Sequence, residues 1–330
     1  MIRSVAVACV KAIRPYPRED LKRGVRWMAA RRFPRQMLNF YYSGLSYERK
    51  AAFHEEFSEL FDGYNGRFDD GVWEVVFRGT RIKLPLRKEK AWLDWNLAVS
   101  VLGHDAEIKQ SYEALLSLPQ PPKVVLDVGT NFGTHSILFL ASGMRTVSFE
   151  PNPNCHAYLK KICEWNQVEC QIEQIALGDR EGAVELCFPQ DREWNGTVLA
   201  SQKDGLESDE VMVRIDIRQT TMDDYVERHM LRPDLIKVDT EGAELLVLRG
   251  ARQTLTKFRP LVVFEALPEA ERAQLFSSFS DLGYGVCRLP VSARESPVEM
   301  SPLEFQHSKS NNFIAVPAEE LRSWPPQFAN

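Results

Sequence analysis

The chain has 330 residues, of which 44% are hydrophobic and 26% charged. This is the composition of an ordinary globular protein, long enough for one large α/β domain with an extension or for two modest domains. The formal net charge of −5 gives no case for a nucleic-acid partner, and six cysteines without a C-x-x-C pair indicate reduced thiols in a cytoplasmic protein.

The first fifty residues are basic, unlike the rest of the chain. They hold twelve Lys and Arg against three Asp and Glu, interleaved with Trp27, Phe33, Met37, Phe40, Tyr41 and Tyr42. One interpretation is that residues 1–42 make a peripheral contact with a membrane or another anionic partner. The other, which we favour, is a helical extension whose aromatic side chains pack on the main domain while its charges stay solvated. The apolar run from Val5 to Val10 is too short to span a membrane.

Residues 1–119 are predicted to form an extension of helices and one β-hairpin. Apolar residues at spacings of three to four, from Phe53 to Phe61, are typical of a helix. The stretches 72–77 and 81–84 flank Gly79-Thr80 and predict the hairpin. Further helices are expected near residues 92–101 and 107–118, and the prolines at 119, 121 and 122 end this part of the chain.

From Lys123 onward, strands alternate with helices, which indicates a largely parallel sheet covered on both faces. The strands are predicted at about residues 123–128, 145–150, 170–175, 234–239, 260–265, 284–289 and 312–316. Two further strands, 183–188 and 211–217, lie between the third and fourth, joined through a glycine-containing loop at Trp194–Thr197. We assign residues 120–330 to one doubly wound α/β domain.

The turn after the first predicted strand of this domain is rich in glycine. The strand runs into Asp127-x-Gly129-x-x-x-Gly133, a helix follows from about Thr134, and the second strand ends on Glu150. Glycine lets a ligand approach the backbone closely, and an acid at the tip of the second strand can bind a ribose diol. These features predict a nucleoside-binding βαβ unit.

The spacing of the glycines indicates which kind of nucleoside binds. Dinucleotide-binding folds use G-x-G-x-x-G, but here position 131 is Asn and a carboxylate, Asp127, precedes the loop. A carboxylate repels phosphates and suits the ammonium and sulfonium groups of a methionine-type ligand. The pattern therefore resembles motif I of S-adenosylmethionine-dependent methyltransferases, and it argues against a nicotinamide-dependent dehydrogenase.

Other candidate residues follow later strands, where an open α/β sheet binds its ligands. Ile175, Ala176 and Leu177 could sandwich an adenine ring or belong to the core. Lys237 lies on an apolar strand and, as a buried cation, needs a partner or a cleft.

Acids also stand at the ends of these strands: Asp239, Glu241 and Glu265. A strand-tip carboxylate could remove the proton from an attacking hydroxyl, or two could hold a divalent cation, a cofactor that we do not predict. Solvated acids are the alternative, and Glu241 could merely favour the start of a helix. The six histidines show no metal-ligand spacing.

Several segments of residues 120–318 are similar to the FkbM methyltransferases. They are Asp127-Val128-Gly129-Thr130-Asn131-Phe132-Gly133, Phe149-Glu150-Pro151-Asn152-Pro153, Ala176-Leu177-Gly178-Asp179, Lys237-Val238-Asp239-Thr240-Glu241-Gly242-Ala243-Glu244 and Asn312-Phe313-Ile314-Ala315-Val316-Pro317. The resemblance implies a class I methyltransferase fold, Rossmann-like, with seven strands that are parallel except for the seventh. It also implies methyl transfer from S-adenosylmethionine to a hydroxyl.

The resemblance also implies roles for residues of this chain. Asp127, Gly129, Asn131, Gly133 and Glu150 would bind S-adenosylmethionine, Ala176 and Leu177 would flank its adenine, and Asp239 would face the transfer site. We add Thr130, Ser136 and Asp239 to the candidate donor-binding residues, and we take the strand-end residues Lys237, Asp239, Glu241 and Glu265 as the candidate catalytic group. His135 departs from the family's usual residue type. It could contact the methionine end of the donor, but we expect it on a helix surface.

We expect an S-adenosylmethionine-dependent O-methyltransferase acting on a hydroxyl of a carbohydrate, lipid-linked glycan or natural product. The alternative is a non-catalytic binding module of the same fold that docks a partner through its basic N-terminus. The sequence defines neither the acceptor nor an oligomeric state.

Overall fold

A computed structural model describes residues 18–189, 198, 211–268 and 271–325. The chain divides into two compact units, one ending at Ala106 and the other beginning at Glu107. This division lies before the predicted boundary at residue 119, so the helix predicted at residues 107–118 belongs to the second unit. Residues 1–17 of the basic leader and the predicted loop Trp194–Thr197 lie outside the described residues.

The first unit contains helices and the predicted hairpin. Its elements are α1 (Arg18–Ala30), α2 (Arg32–Ser43), α3 (Tyr47–Phe57), β1 (Gly71–Phe77), β2 (Thr80–Leu86), a 3₁₀ turn (Lys88–Lys90) and α4 (Ala91–Gly103). β1 and β2 pair in antiparallel orientation through the tight turn after Phe77. Aromatic rings fill the core, where Trp73 and Trp95 lie edge to face with centroids 5.1 Å apart.

The aromatic side chains of the leader are not all packed away from water. Tyr42 is buried, but Trp27, Phe33, Met37 and Phe40 are exposed to solvent. The favoured interpretation from the sequence, in which the aromatic side chains are packed away from solvent, is therefore wrong for Trp27, Phe33 and Phe40.

The second unit is an α/β domain. Its strands are β3 (Val124–Val128), β4 (Arg145–Phe149), β5 (Gln171–Glu173), β6 (Ala176–Leu177), β7 (Gly182–Pro189), β8 (Met212–Thr220), β9 (Leu235–Val238), β10 (Leu261–Glu265), β11 (Tyr284–Arg288) and β12 (Asn312–Pro317). Its helices are α5 (Ala106–Leu116), α6 (Ser136–Ala141), α7 (Pro153–Asn166), α8 (Met222–Arg228), α9 (Glu244–Arg249), α10 (Arg252–Phe258), α11 (Arg272–Asp281), α12 (Pro302–Gln306) and α13 (Ala318–Arg322).

Seven strands of the described part form one mixed sheet in the order β5-β4-β3-β9-β10-β12-β11. β3, β4, β5, β9 and β10 pair in parallel, and β12 runs antiparallel to both of its neighbours. The predicted fold class is confirmed: this is a class I methyltransferase sheet with a reversed seventh strand. β3 and β9 are adjacent, so the chain changes direction across the sheet between them, and such a switch point opens a ligand crevice at the carboxyl ends of the strands.

The predicted excursion between β5 and β9 forms a small separate sheet in the order β6-β8-β7. One face of β8 is wet, with Arg214, Asp216 and Arg218 exposed, as its alternation predicts. The other face joins an apolar cluster that includes Ala176, Leu186 and Ile217.

Within the described ranges, none of the helices is both long enough and apolar enough to cross a bilayer.

Candidate active site

A cleft of about 740 Å³, counting its space open to solvent, lies beyond the carboxyl ends of β3, β4 and β9. Of the residues predicted for the site, Gly129, Asn131, Glu150, Ala176, Leu177, Asp239 and Glu241 line it. The lining also includes Asn152, Cys155, Ile175, Leu186, Val198 and Thr240. The structure thus brings together residues that lie more than a hundred positions apart in the sequence.

Gly129 holds the strand ends together on the floor of the cleft. Its φ of +77° lies in the region that favours glycine, and a Cβ there would lie only 1.6 Å from the carbonyl oxygen of Asp239. The Asp239 amide in turn donates to the carbonyl of Val128. The glycine is needed here because the end of β9 packs directly on the loop, which brings Asp239 beside the predicted donor site.

Glu150 is buried at the tip of β4, and it organises the surrounding backbone. Its Oε2 accepts from the Asn131 amide at 2.6 Å and its Oε1 from the Asn152 amide at 2.8 Å. Burial is the main reason why the pKa of Glu150 rises to about 7, although these two backbone hydrogen bonds lower it. Asn152 also caps α7, whose first residue is Pro153, so the same short segment fixes the strand tip and the helix start.

Asp127 lies behind the cleft wall rather than on it. It is fully buried, and its Oδ2 accepts from Ser136 Oγ at 2.6 Å, with Ser148 Oγ 2.7 Å from the same serine oxygen. Its Oδ1 accepts no hydrogen bond from the described residues and lies 3.7 Å from Lys237 Nζ. Asp127 therefore supports the site through other side chains instead of reaching a ligand directly.

Lys237 connects this buried carboxylate to the cleft. Its side chain is 2% exposed, and its Nζ donates to Asp239 Oδ2 at 3.0 Å. The Asp239 side chain is 30% exposed and reaches the cleft. The ion pair joins a buried cation to an accessible carboxylate. The expectation that a lysine on an apolar strand needs a partner is therefore confirmed.

The segment between β9 and α9 is a tight loop and not the start of a helix. Glu241 has a φ of +52°, uncommon for a residue with a Cβ, and lines the cleft. The interpretation of Glu241 as a helix-start acid is wrong, since α9 begins only at Glu244. Glu244 Oε1 accepts from the Thr240 amide at 2.9 Å and the Gly242 amide at 3.0 Å. The pKa of Glu244 is raised, chiefly by burial.

Other predicted site residues lie outside the cleft lining. Thr130 is buried and donates to the Asp127 carbonyl. At Gly133, a Cβ would meet the Leu159 side chain at 2.4 Å, so this glycine serves the packing of α7. Ser136 is the buried partner of Asp127. Glu265 ends β10 opposite Asn312 of β12, half-buried.

Helix α5 contributes polar contacts that the sequence did not predict. Asn312 Nδ2 donates to Glu107 Oε1 at 2.9 Å, beside Glu265. Two residues along the helix, Lys109 Nζ lies 2.8 Å from His135 Nε2, just before α6. In the sheet order, β10 and β9 lie between these two contacts. The first turn of α5 therefore contacts the residue paired with Glu265 and the residue that precedes α6.

His135 was expected on a helix surface, and this expectation is wrong. It is buried, with Tyr112 Oη 3.2 Å from its Nδ1 and the fully buried Lys109 at its other nitrogen. The error arose because α5 covers the start of α6, and the sequence carries no signal for a contact between segments 26 residues apart.

The cleft has the chemistry of an S-adenosylmethionine site. Its apolar part, formed by Ile175, Ala176, Leu177 and Leu186, suits a flat purine, and the carboxylate of Glu150 suits a ribose diol. No group of three or more His, Cys, Asp or Glu side chains arranged to hold a metal ion is found within the described ranges.

Comparison with known proteins identifies a matching family and several relatives. Residues 127–286 match the family described as methyltransferase FkbM domain. Methyltransferase sdnD of Sordaria araneosa is 25% identical over 202 residues, covering 53% of this chain and 78% of that protein. The 2-O-methyltransferase NoeI of Sinorhizobium fredii is 28% identical over 169 residues, covering 47% and 68%.

The hexuronic acid methyltransferase AglP of Haloferax volcanii is 26% identical over 151 residues. The match covers 45% of this chain and only 58% of that protein. The region matched by the family begins at the end of β3 and contains the glycine loop, Glu150 and the Lys237–Asp239 pair. This chain is a methyltransferase whose residues 127–286 match the FkbM methyltransferase domain.

Proposed function

We propose that this chain transfers the methyl group of S-adenosylmethionine to a hydroxyl of a carbohydrate, with Asp239 as the base that removes the hydroxyl proton. The observation that carries the proposal is the ion pair between Lys237 and Asp239 at the edge of the cleft. One carboxylate oxygen is fixed at 3.0 Å from the buried ammonium, while the side chain remains accessible.

Different residues would bind the donor and remove the proton from the acceptor. Glu150 would hold the ribose diol, and Ala176 and Leu177 would flank the adenine. The donor supplies a methyl group on a sulfonium, whose thioether leaves without help from an acid. What the protein must add is an aligned hydroxyl and a group that takes its proton. Asp239 lies in the same cleft as Glu150 and is held by Lys237, so it meets both requirements.

The acceptor class rests on the relatives and on the polar wall beside Asp239. NoeI is named for 2-O-methyl transfer and AglP for methylation of a hexuronic acid. In this chain, Glu265 ends β10 beside the end of β9, and the hydrogen-bonded pair Glu107–Asn312 lies on the other side of Glu265, at β12. Carboxylate and amide groups bind the vicinal hydroxyls of sugars with charge-assisted hydrogen bonds. A sugar unit, free or within a lipid-linked glycan or glycosylated natural product, fits this wall.

Transfer of labelled methyl from S-adenosylmethionine to hexose, deoxyhexose and hexuronic acid glycosides tests the proposal. With an accepted glycoside, Asp239→Asn should lower kcat at least about 100-fold, the usual contribution of a general base. The dissociation constant of S-adenosylhomocysteine should change little. Asp216→Asn, an exposed acid of β8, is the matched control and should keep full turnover.

Equal losses of kcat and donor affinity in Asp239→Asn would reassign this residue to donor binding. The same assay in EDTA tests the divalent cation considered from the sequence. Turnover that persists in EDTA fits Asp239 acting alone, whereas turnover that is lost and then restored by added Mg²⁺ would require a cation.

A further inference from the structure

Helix α2 presents an apolar stripe to solvent. Phe33, Met37 and Phe40, spaced by four and three residues on one side of the helix, are 72%, 56% and 69% exposed. The opposite side carries the buried Arg35, Leu38 and Tyr42. A helix on a protein surface ordinarily turns polar residues outward, and here the outward side is apolar.

Trp27 of α1 is another large apolar side chain that is exposed to solvent. Its side chain is 53% exposed, and the guanidinium of Arg31 lies 4.8 Å from its ring centroid. Arg31 also donates to the Trp27 carbonyl and directly precedes α2. An indole paired with a guanidinium at the surface combines an apolar body with a charged edge, a pairing suited to the boundary between lipid tails and headgroups.

The surroundings of this stripe are strongly basic. Between residues 18 and 40 the sequence has seven Lys and Arg against two acids, Glu19 and Asp20. Arg18, Arg23, Arg31 and Arg32 are exposed. Aromatic side chains bordered by arginines are the features of a helix that lies in the interface of an anionic bilayer.

We propose that Trp27 and the α2 stripe, defined as Phe33, Met37 and Phe40, bind the surface of an anionic membrane. The apolar side chains insert at the headgroup boundary, and the surrounding arginines bind lipid phosphates. The inference is independent of the proposed acceptor, because it concerns binding in the absence of donor and substrate. It would bring the enzyme to the surface where lipid-linked glycans are presented.

The positive charge around the stripe favours a membrane over two other occupants, a second copy of the chain and residues 1–17. A second copy of the chain on the stripe would bring two arginine-rich borders together, which like-charge repulsion disfavours. Residues 1–17 add three further cations and no acid to the sequence, so this segment offers no charge complementary to the border. Lipid phosphates supply the negative charge that is missing from residues 1–17 and from the arginine-rich border of a second copy's stripe.

Co-sedimentation of the full chain with vesicles tests the proposal. The chain should bind vesicles of phosphatidylcholine mixed with phosphatidylglycerol in equal parts, and should bind pure phosphatidylcholine much less. Replacing all three stripe residues, Phe33→Ser, Met37→Ser and Phe40→Ser, should weaken binding to the mixed vesicles at least about tenfold, since most of the inserted apolar area is lost. These side chains are exposed, so the variant should keep the thermal unfolding curve of the wild type.

Matched controls distinguish insertion of the stripe into the membrane from nonspecific binding by other exposed apolar side chains. Met230→Ser and Leu303→Ser remove apolar side chains that are 90% and 67% exposed in the second unit, and vesicle binding should be unchanged. Arg31→Gln with Arg32→Gln should weaken binding to the mixed vesicles and flatten its dependence on salt, whereas Arg67→Gln, also exposed, should do neither.

Three results would overturn the proposal. One is equal binding of the wild type and the stripe variant to mixed vesicles. Another is failure of the wild type to bind them at all, which would favour a protein partner. The third is a wild-type dimer in sedimentation velocity that the stripe substitutions dissociate, which would assign the stripe to a second copy of the chain.

Discussion

Glu150 is a buried carboxylate. In its proposed role it must be ionised to bind the ribose diol well, so we expect donor binding to depend on pH. Burial raises the pKa of Glu150 from 4.5 to about 7, so the folded protein takes up a proton here that the unfolded chain has lost. The contribution of this group to stability therefore declines as the pH rises from about 4.5 to about 7. Ligand binding runs the other way, because the ionised carboxylate accepts two hydroxyl hydrogen bonds.

We expect the affinity for S-adenosylhomocysteine to increase by up to about tenfold per pH unit as the pH rises toward 7 and to level off above it. Near pH 7, binding should release part of a proton. Calorimetric titrations in buffers of different ionisation enthalpy measure both effects. Glu150→Gln keeps the shape but cannot ionise, so its affinity should be weaker and independent of pH. A wild-type affinity that does not vary with pH would contradict the assigned role of Glu150.

Lys237 compensates two carboxylates, and its loss should destabilise the protein. Lys237→Met would leave the fully buried Asp127 without its nearby cation, which we expect to lower the free energy of unfolding by about 3–5 kcal/mol at neutral pH. Urea unfolding measures the loss. The double variant with Asp127→Asn removes the buried charge and should recover part of it. No recovery in the double variant would show that Asp127 and Lys237 do not act as a pair.

Individual residues show how far the sequence could specify the site. The ends of parallel strands share one edge, so Glu150, Asp239 and Glu265 could be placed near one another from strand assignments alone. The sequence could not show which acids face the cleft. Asp127 precedes the loop and yet is buried against Ser136, whereas Glu244, quoted only as part of a motif, holds the backbone of the β9–α9 loop through its carboxylate. Side-chain direction depends on packing that no local pattern records.

At the scale of elements, the strands of the main sheet could be predicted from the sequence, but the contacts that the helices make could not. The seven strands of the main sheet were predicted to within two residues at each end, because buried parallel strands form short apolar runs bounded by turns. The helix after the glycine loop begins at Ser136, two residues later than expected, since the loop continues through His135. Helix α5 was predicted, but its contacts with Asn312 and His135 join segments far apart in the chain, and periodicity does not encode a partner.

The junction of β3 and β9 gives a test at this scale. Gly129→Ala should separate the two strand ends, because the new Cβ would lie 1.6 Å from a backbone oxygen. We expect a loss of stability of at least about 3 kcal/mol and loss of donor binding. Gly143→Ala is the matched control: φ is also positive, at +82°, but no atom lies within 4 Å of the added Cβ. It should cost only about 1–2 kcal/mol.

Equal melting temperatures for the Gly129→Ala and Gly143→Ala variants would show that backbone strain alone matters. The close contact between Gly129 and Asp239 would then have no role in holding the floor of the cleft together.

At the scale of the whole molecule, the chain combines a methyltransferase domain with a first unit that the family similarity does not cover. We propose that the second unit supplies the donor and transfer residues and that it selects a sugar hydroxyl. The first unit carries the basic and aromatic surface for which we propose a membrane partner. Sequence reasoning recognised the methyltransferase domain from a few motifs, since cofactor chemistry constrains them strongly. No comparable constraint acts on an acceptor, and this is why its identity depends on experiment.

We propose that the cleft between Gly129, Glu150 and Asp239 holds the methyl donor. Isothermal titration of the full chain with S-adenosylhomocysteine tests it most directly, with Glu150→Ala as the variant and Glu181→Ala, an acid outside the cleft lining, as the control. We predict saturable one-site binding by the wild type and the control, and an affinity at least about tenfold lower for Glu150→Ala. An absence of binding by the wild type, or equal affinity in all three proteins, would contradict the account.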